Sequence, residues 1–88
     1  MISQRYSQMF SHLPQSKRAT IYTIDGIKEL FYTNKEIDEM TFELAIMDEI
    51  AELMHDDKPH HFQSEKFTSD HPRFNEIVNG SYSKVTEL

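Results

Sequence analysis

The side chains best suited to chemistry lie close together in the chain. His55, Asp56, Asp57, His60 and His61 fall within seven positions, and His71 follows. Two or three imidazoles with a carboxylate are the donor set of a metal site. Their spacing matches none of the metal motifs with fixed geometry, and surface loops gather His and Asp for solvation alone. The expectation is no metal and no cofactor, with metal-assisted hydrolysis through this cluster kept as a competing reading. Imidazoles beside carboxylates also gain charge below about pH 7, which would make binding sensitive to pH.

Other catalytic patterns are missing from the chain. It has two glycines, Gly26 and Gly80, which leaves none for a phosphate-cradling loop. No Gly-x-Ser-x-Gly occurs, and without cysteine there is neither a thiol nucleophile nor a disulfide. Carboxylates abound, but a general acid needs a pKa raised by burial, and a solvated acidic ridge does the reverse. The expectation is a protein that binds and does not catalyse.

Charge points to what it would bind. The net charge is -6, and residues 35–57 carry nine acids against Lys35, whereas residues 1–20 carry Arg5, Lys17 and Arg18 with no acid. An acidic surface repels nucleic acid and anionic lipid, so a basic protein partner is favoured over direct nucleic-acid or membrane binding. On a helical wheel Asp38, Asp48, Glu49, Glu52 and Asp56 share a sector about 100° wide, with Thr41 and Ala45 completing it. Carboxylates four positions apart stand about 6 Å from one another, close to the phosphate spacing of one nucleic-acid strand. These five are the expected partner-binding residues, acting as phosphate surrogates. One charge per roughly 4 Å of helix is too dilute beside about 1.7 Å for duplex DNA, so mimicry would require a homodimer. Phe42, Ile46, Ile50 and Leu53 form the stripe for that dimer contact. The same stripe also fits ordinary core packing against the sheet.

These residues need elements to position them. Tyr6, Met9, Phe10 and Leu13 recur at i, i+3, i+4 and i+7, the pattern of a short amphipathic helix closed by Pro14, whose stripe needs something to cover. Gln15 to Arg18 reads as a polar linker. Residues 19–24 and 27–33 flank Asp25-Gly26, the pair suited to a type I′ turn, and so predict a hairpin with Ile24 opposite Ile27, Tyr22 opposite Glu29 and Ile21 opposite Leu30. Both faces of that ribbon are apolar and must be covered. Thr33 or Asn34, with Glu36 as a capping box, predicts a helix from about Lys35 to His55. Besides the stripe already named, it carries a second apolar seam, Ile37, Met40, Leu44, Met47, Ala51 and Met54, so it should have two neighbours. Residues 55–70 read as a polar connection. Ser69 or Asp70 with Pro72 opens a short helix stopped by Gly80, and Ser81 to Leu88 predicts a third strand.

The predicted fold is α+β in one domain spanning 1–88: a small antiparallel sheet, hairpin 19–33 plus the C-terminal strand, packed on a long central helix with two shorter helices. Residues 1–6 lack an apolar signal core and no run reaches the 18 or so apolar residues that span a bilayer, which predicts a cytoplasmic protein, in the host cell if viral. The leading functional expectation is a non-catalytic acidic inhibitor that occupies a basic, nucleic-acid-binding surface of a host protein, in its most specific form a phage-type DNA mimic directed against restriction or another defence. The alternative is an antitoxin, immunity protein or assembly subunit that meets one dedicated partner through apolar surface.

Overall fold

The computed structural model describes residues 12–53 and 61–88, with the backbone alone at 52 and 53. The predicted N-terminal helix and most of the histidine cluster therefore lie outside the described residues. Four strands, β1 (Ser16–Ile24), β2 (Ile27–Ile37), β3 (Phe62–Thr68) and β4 (Lys84–Glu87), form one sheet in the order β3-β1-β2-β4. Helix α1 (Glu39–Leu53) covers one face and the single-turn α2 (Phe74–Val78) packs against the other.

The hairpin forms for the reason its sequence suggests. Asp25 and Gly26 take φ of 51° and 84°, the pair of positive values that a type I′ turn needs. Ile24 then pairs with Ile27, Tyr22 with Glu29 and Ile21 with Leu30, the register expected from the turn. Alternation sends Thr20, Tyr22 and Phe31 toward α1 and Ala19, Ile21 and Leu30 toward α2. Phe31, Ile37, Phe42 and Ile46 form the core, with Tyr22, Ile50 and Leu88 against it. The Tyr22 and Phe31 rings meet edge to face, with centroids 5.8 Å apart.

Three features of the predicted fold are corrected. The sheet is mixed rather than antiparallel, because β4 pairs with β2 in parallel, its register running from Glu29 opposite Lys84 to Tyr32 opposite Glu87. The stretch read as a polar connection contains β3, a full strand antiparallel to β1 from Arg18 opposite Thr68 to Ile24 opposite Phe62. Backbone ladder bonds, not an apolar alternation, hold this edge: five of its seven side chains are exposed. The long helix is also shorter than predicted. Residues 35–37 belong to β2, which extends past Thr33, and β1 extends back to Ser16 to pair with Ile37 across a bulge.

The reason lies in the side chains at the junction. Thr33 Oγ1 accepts the Lys35 N–H at 3.1 Å inside the strand instead of capping a helix. Arg18 Nε donates to the Ile37 carbonyl at 2.8 Å, tying the end of β2 to β1. Asp38 then makes the cap: its Oδ2 accepts the Thr41 N–H at 2.8 Å and its Oδ1 accepts the Thr41 hydroxyl at 2.6 Å. Among the described residues the structure thus holds two helices, not one long central helix with two shorter ones, and none is long and apolar enough to cross a membrane.

Candidate functional site

Helix α1 is the element on which every expected binding residue was placed, so its orientation decides what the surface can do. Thr41, Phe42, Ala45 and Ile46 are buried, Glu49 and Ile50 are half-buried, and Met40, Met47, Asp48 and Ala51 are exposed. At about 100° per residue the inward arc runs through 41, 45, 42 and 46, and the outward arc is centred on 47, 40, 51 and 44.

That orientation places the described residues of the expected acidic strip in different surroundings. Thr41 and Ala45, which complete its sector, lie at the sheet and not in solvent. Asp38 is only 1% exposed and its two oxygens are engaged in the helix cap. Asp48 is exposed and Glu49 half-buried, while the Glu52 side chain and Asp56 lie outside the described residues. Among the described residues, Asp38, Asp48 and Glu49 therefore do not form one outward row. The physical reason is close packing: Thr41 and Ala45 are small enough to let α1 settle on the sheet, and the bulky methionines are left outside.

The same geometry places the residues expected at the dimer contact. Phe42 and Ile46 are core residues at 1% and 0% exposure, packed with Phe31 and Ile37, and Ile50 lies against that cluster. Such side chains cannot meet a second copy without opening the fold. The Leu53 side chain is outside the described residues.

What remains outward is the second apolar seam. Met40 and Met47 are 50% and 60% exposed, one turn either side of the half-buried Leu44, with Ala51 continuing the row. Glu39 and Asp48 stand exposed beside it. Below its N-terminal end, Met40 and Leu13 line a cavity of about 440 Å³ together with Arg18, Glu39, Glu43 and Lys66.

The charged groups of that cavity tie the helix to the sheet. Lys66 Nζ on β3 stands 3.6 Å from both the Glu39 and the Glu43 carboxylates. From β1, the Tyr22 phenol donates to Glu43 Oε2 at 3.3 Å. Burial and the neighbouring Glu43 charge push the Tyr22 hydroxyl up to about 12, so it stays a neutral donor and is unfit as a base near neutrality. Two strands thereby clamp one carboxylate, which fixes the rotation of α1 and with it the outward seam.

His61 and His71 do not converge. The His61 N–H donates to Asp25 Oδ1 at the hairpin end, while His71 Nδ1 accepts the Arg73 N–H beyond the far end of β3. Seven strand residues between them span roughly 20 Å. His71 instead stands edge to face with Phe67 at 5.3 Å. Among the described residues no three His, Asp or Glu side chains form a group that could hold a metal; His55 and His60 lie outside them. No family model, curated protein or solved structure matches the chain.

The sequence did contain the seam, as one of two apolar faces, but the choice between them was not visible in it. The overlooked signal was Asp38-x-x-Thr41, a cap whose two members point back toward the sheet.

Proposed function

We propose that this is a non-catalytic binding protein that meets one dedicated protein partner through the outer face of α1, centred on Met40, Leu44 and Met47. The observation that carries the reading is the exposure of two methionines on one helical face whose rotation is clamped by Tyr22 and Lys66. Methionine is flexible and polarizable, and it is over-used where a surface must fit an apolar groove. An amphipathic helix laid into such a groove is a recurrent mode of recognition, read as anchors at i, i+4 and i+7, which is the spacing of 40, 44 and 47.

Charge specifies the rim of that groove. Glu39 and Asp48 are exposed beside the anchors and the chain as a whole carries -6, so the partner offers basic residues around an apolar floor. A basic partner is retained from the charge argument; a phosphate-like row of carboxylates is not part of the proposal.

The test is affinity purification from the native host with the wild-type chain and with the double variant Met40→Glu, Met47→Glu. The expected result is one basic protein recovered in stoichiometric amount by the wild type and lost by the variant, with unchanged circular dichroism. Each lost methionine anchor should weaken binding by about 2 kcal/mol, or roughly thirtyfold. Equal recovery by wild type and variant would end the proposal.

A further inference from the structure

Among the described residues the outer edge of β3 pairs with no strand. We propose that an extended basic segment of a partner protein adds to this edge as a new antiparallel strand of the sheet. The inference goes beyond the α1 face described above and shares with that reading only the basic character of the partner.

The ladder register fixes which groups are on offer. The Ser69 N–H donates to the Lys17 carbonyl at 3.0 Å and the Asp25 N–H to the His61 carbonyl at 2.9 Å, and the β1–β3 register runs between these bonds without a shift. Antiparallel partners alternate between hydrogen-bonded and non-hydrogen-bonded pairs, so the odd-numbered residues of β3 engage both backbone groups with β1. Ser64 and Lys66 therefore turn their N–H and C=O groups away from the sheet, and both residues are exposed. The devices that blunt natural edges are missing from this strand. It has no proline and no bulge, and its lysine, Lys66, is drawn back over the sheet to Glu39 and Glu43 at 3.6 Å. An extended segment laid along such an edge is held by main-chain hydrogen bonds and chosen by its alternate side chains.

Charge selects the occupant. Glu65 is exposed at the middle of β3, on the α2 side of the sheet with Ile21. A second copy paired along the whole strand would set Glu65 directly opposite its own counterpart, with Cα atoms about 4.5 Å apart, and like charges so placed are destabilising. A lysine or arginine at that place is attracted instead, in keeping with a chain whose net charge is -6. On the α1 side, Lys66, Glu39 and Met40 line one cavity, so the β3 edge and the outer seam of α1 border a continuous surface that one partner can cover.

The probe is a heptapeptide of alternating lysine and valine, titrated by fluorescence anisotropy against the full-length protein. It should bind saturably and at least about tenfold tighter than the matching glutamate–valine peptide. With a lysine opposite Glu65, the valines face Ser64 and Lys66 and make the hydrogen bonds to the edge. Methylating the valine nitrogens should therefore weaken binding at least about tenfold, and methylating the lysine nitrogens should not. On the protein side, Ser64→Pro removes an outward N–H and leaves the β1 ladder whole, since proline is accepted on an edge whose N–H faces solvent; it should cause the same loss with unchanged circular dichroism. Glu65→Lys should invert the preference between the two peptides.

Absence of saturable binding, equal affinity for the two peptides, or indifference to the valine methyl groups would each overturn the inference. So would a wild-type dimer that Ser64→Pro dissociates in light scattering, because the edge would then serve a second copy. The two readings fail separately. If partner recovery survives Met40→Glu with Met47→Glu while valine methylation abolishes peptide binding, the α1 face falls and the β3 edge stands. If those variants lose the partner but the peptides do not distinguish the methylated nitrogens, the α1 face stands and strand addition is wrong.

Discussion

The phenol of Tyr22 on β1 donates to the carboxylate of Glu43 on α1 at 3.3 Å, across the seam where helix meets sheet. Burial and the Glu43 charge push this phenol up to about 12, against 10.0 for an ordinary tyrosine. The folded protein therefore holds the proton more tightly than the unfolded chain. Stability from this group is present below about pH 10 and is lost as pH rises through about 12. Tyr82, whose hydroxyl donates to the Ile77 carbonyl at 2.6 Å, is also shifted upward, by burial and then by Glu65. An absorbance titration of the wild type should show a phenol titrating near 12, and Tyr22→Phe should remove it. Denaturation midpoints measured across that window should then fall less steeply in Tyr22→Phe than in the wild type.

Lys66 faces two carboxylates at the same 3.6 Å, yet the two pairs should differ in strength. The Glu39 side chain is 59% exposed and the Glu43 side chain 18%. Water screens the first pair, for which a double-mutant cycle should return at most about 0.5 kcal/mol. The cycle with Glu43 should return more, since Glu43 Oε1 is buried and accepts no hydrogen bond among the described residues. Equal coupling energies would show that Lys66 does not clamp the helix.

Asp38 should behave as a structural residue in any assay. Asp38→Ala removes both acceptors from Thr41 and should cost about 1 to 2 kcal/mol in equilibrium denaturation, the usual range for a lost cap. Asp38→Asn keeps one acceptor and should cost less. If Asp38→Ala reduced partner affinity without touching stability, the carboxylate would have to act at the surface, contrary to its burial.

The turn gives a test of backbone strain separate from packing. A methyl group on Gly26 would meet nothing within 4 Å, but the residue sits at φ +84°. Gly26→Ala should therefore destabilise by about 1 kcal/mol through conformation alone. A neutral result in thermal denaturation would mean that the turn relaxes away from type I′.

The two apolar faces of α1 should separate cleanly by mutation. Phe42→Ala opens the core and should cost about 3 to 5 kcal/mol, whereas Met47→Ala at the surface should stay within about 0.5 kcal/mol.

Much of the local structure was legible in the residues themselves. Asp25-Gly26 determined the turn and, through it, the pairing of Ile24 with Ile27 and of Ile21 with Leu30, since a two-residue loop leaves one register. Gly80 marked the end of the short helix, and the spacing of Ile46, Ile50, Met40 and Met47 showed a helix with two apolar stripes. What tertiary structure alone decided was which stripe turns inward. Both are apolar, and the choice depends on Thr41 and Ala45 fitting against the sheet, on Asp38 capping from below and on Lys66 reaching across from β3. The strand that supplies Lys66 has no apolar period, because an edge is held by its neighbour's backbone. The antiparallel direction expected for β4 failed for a similar reason: the strand's own residues carry no signal of direction, and the path from Gly80 back to Lys28 sets it parallel to β2.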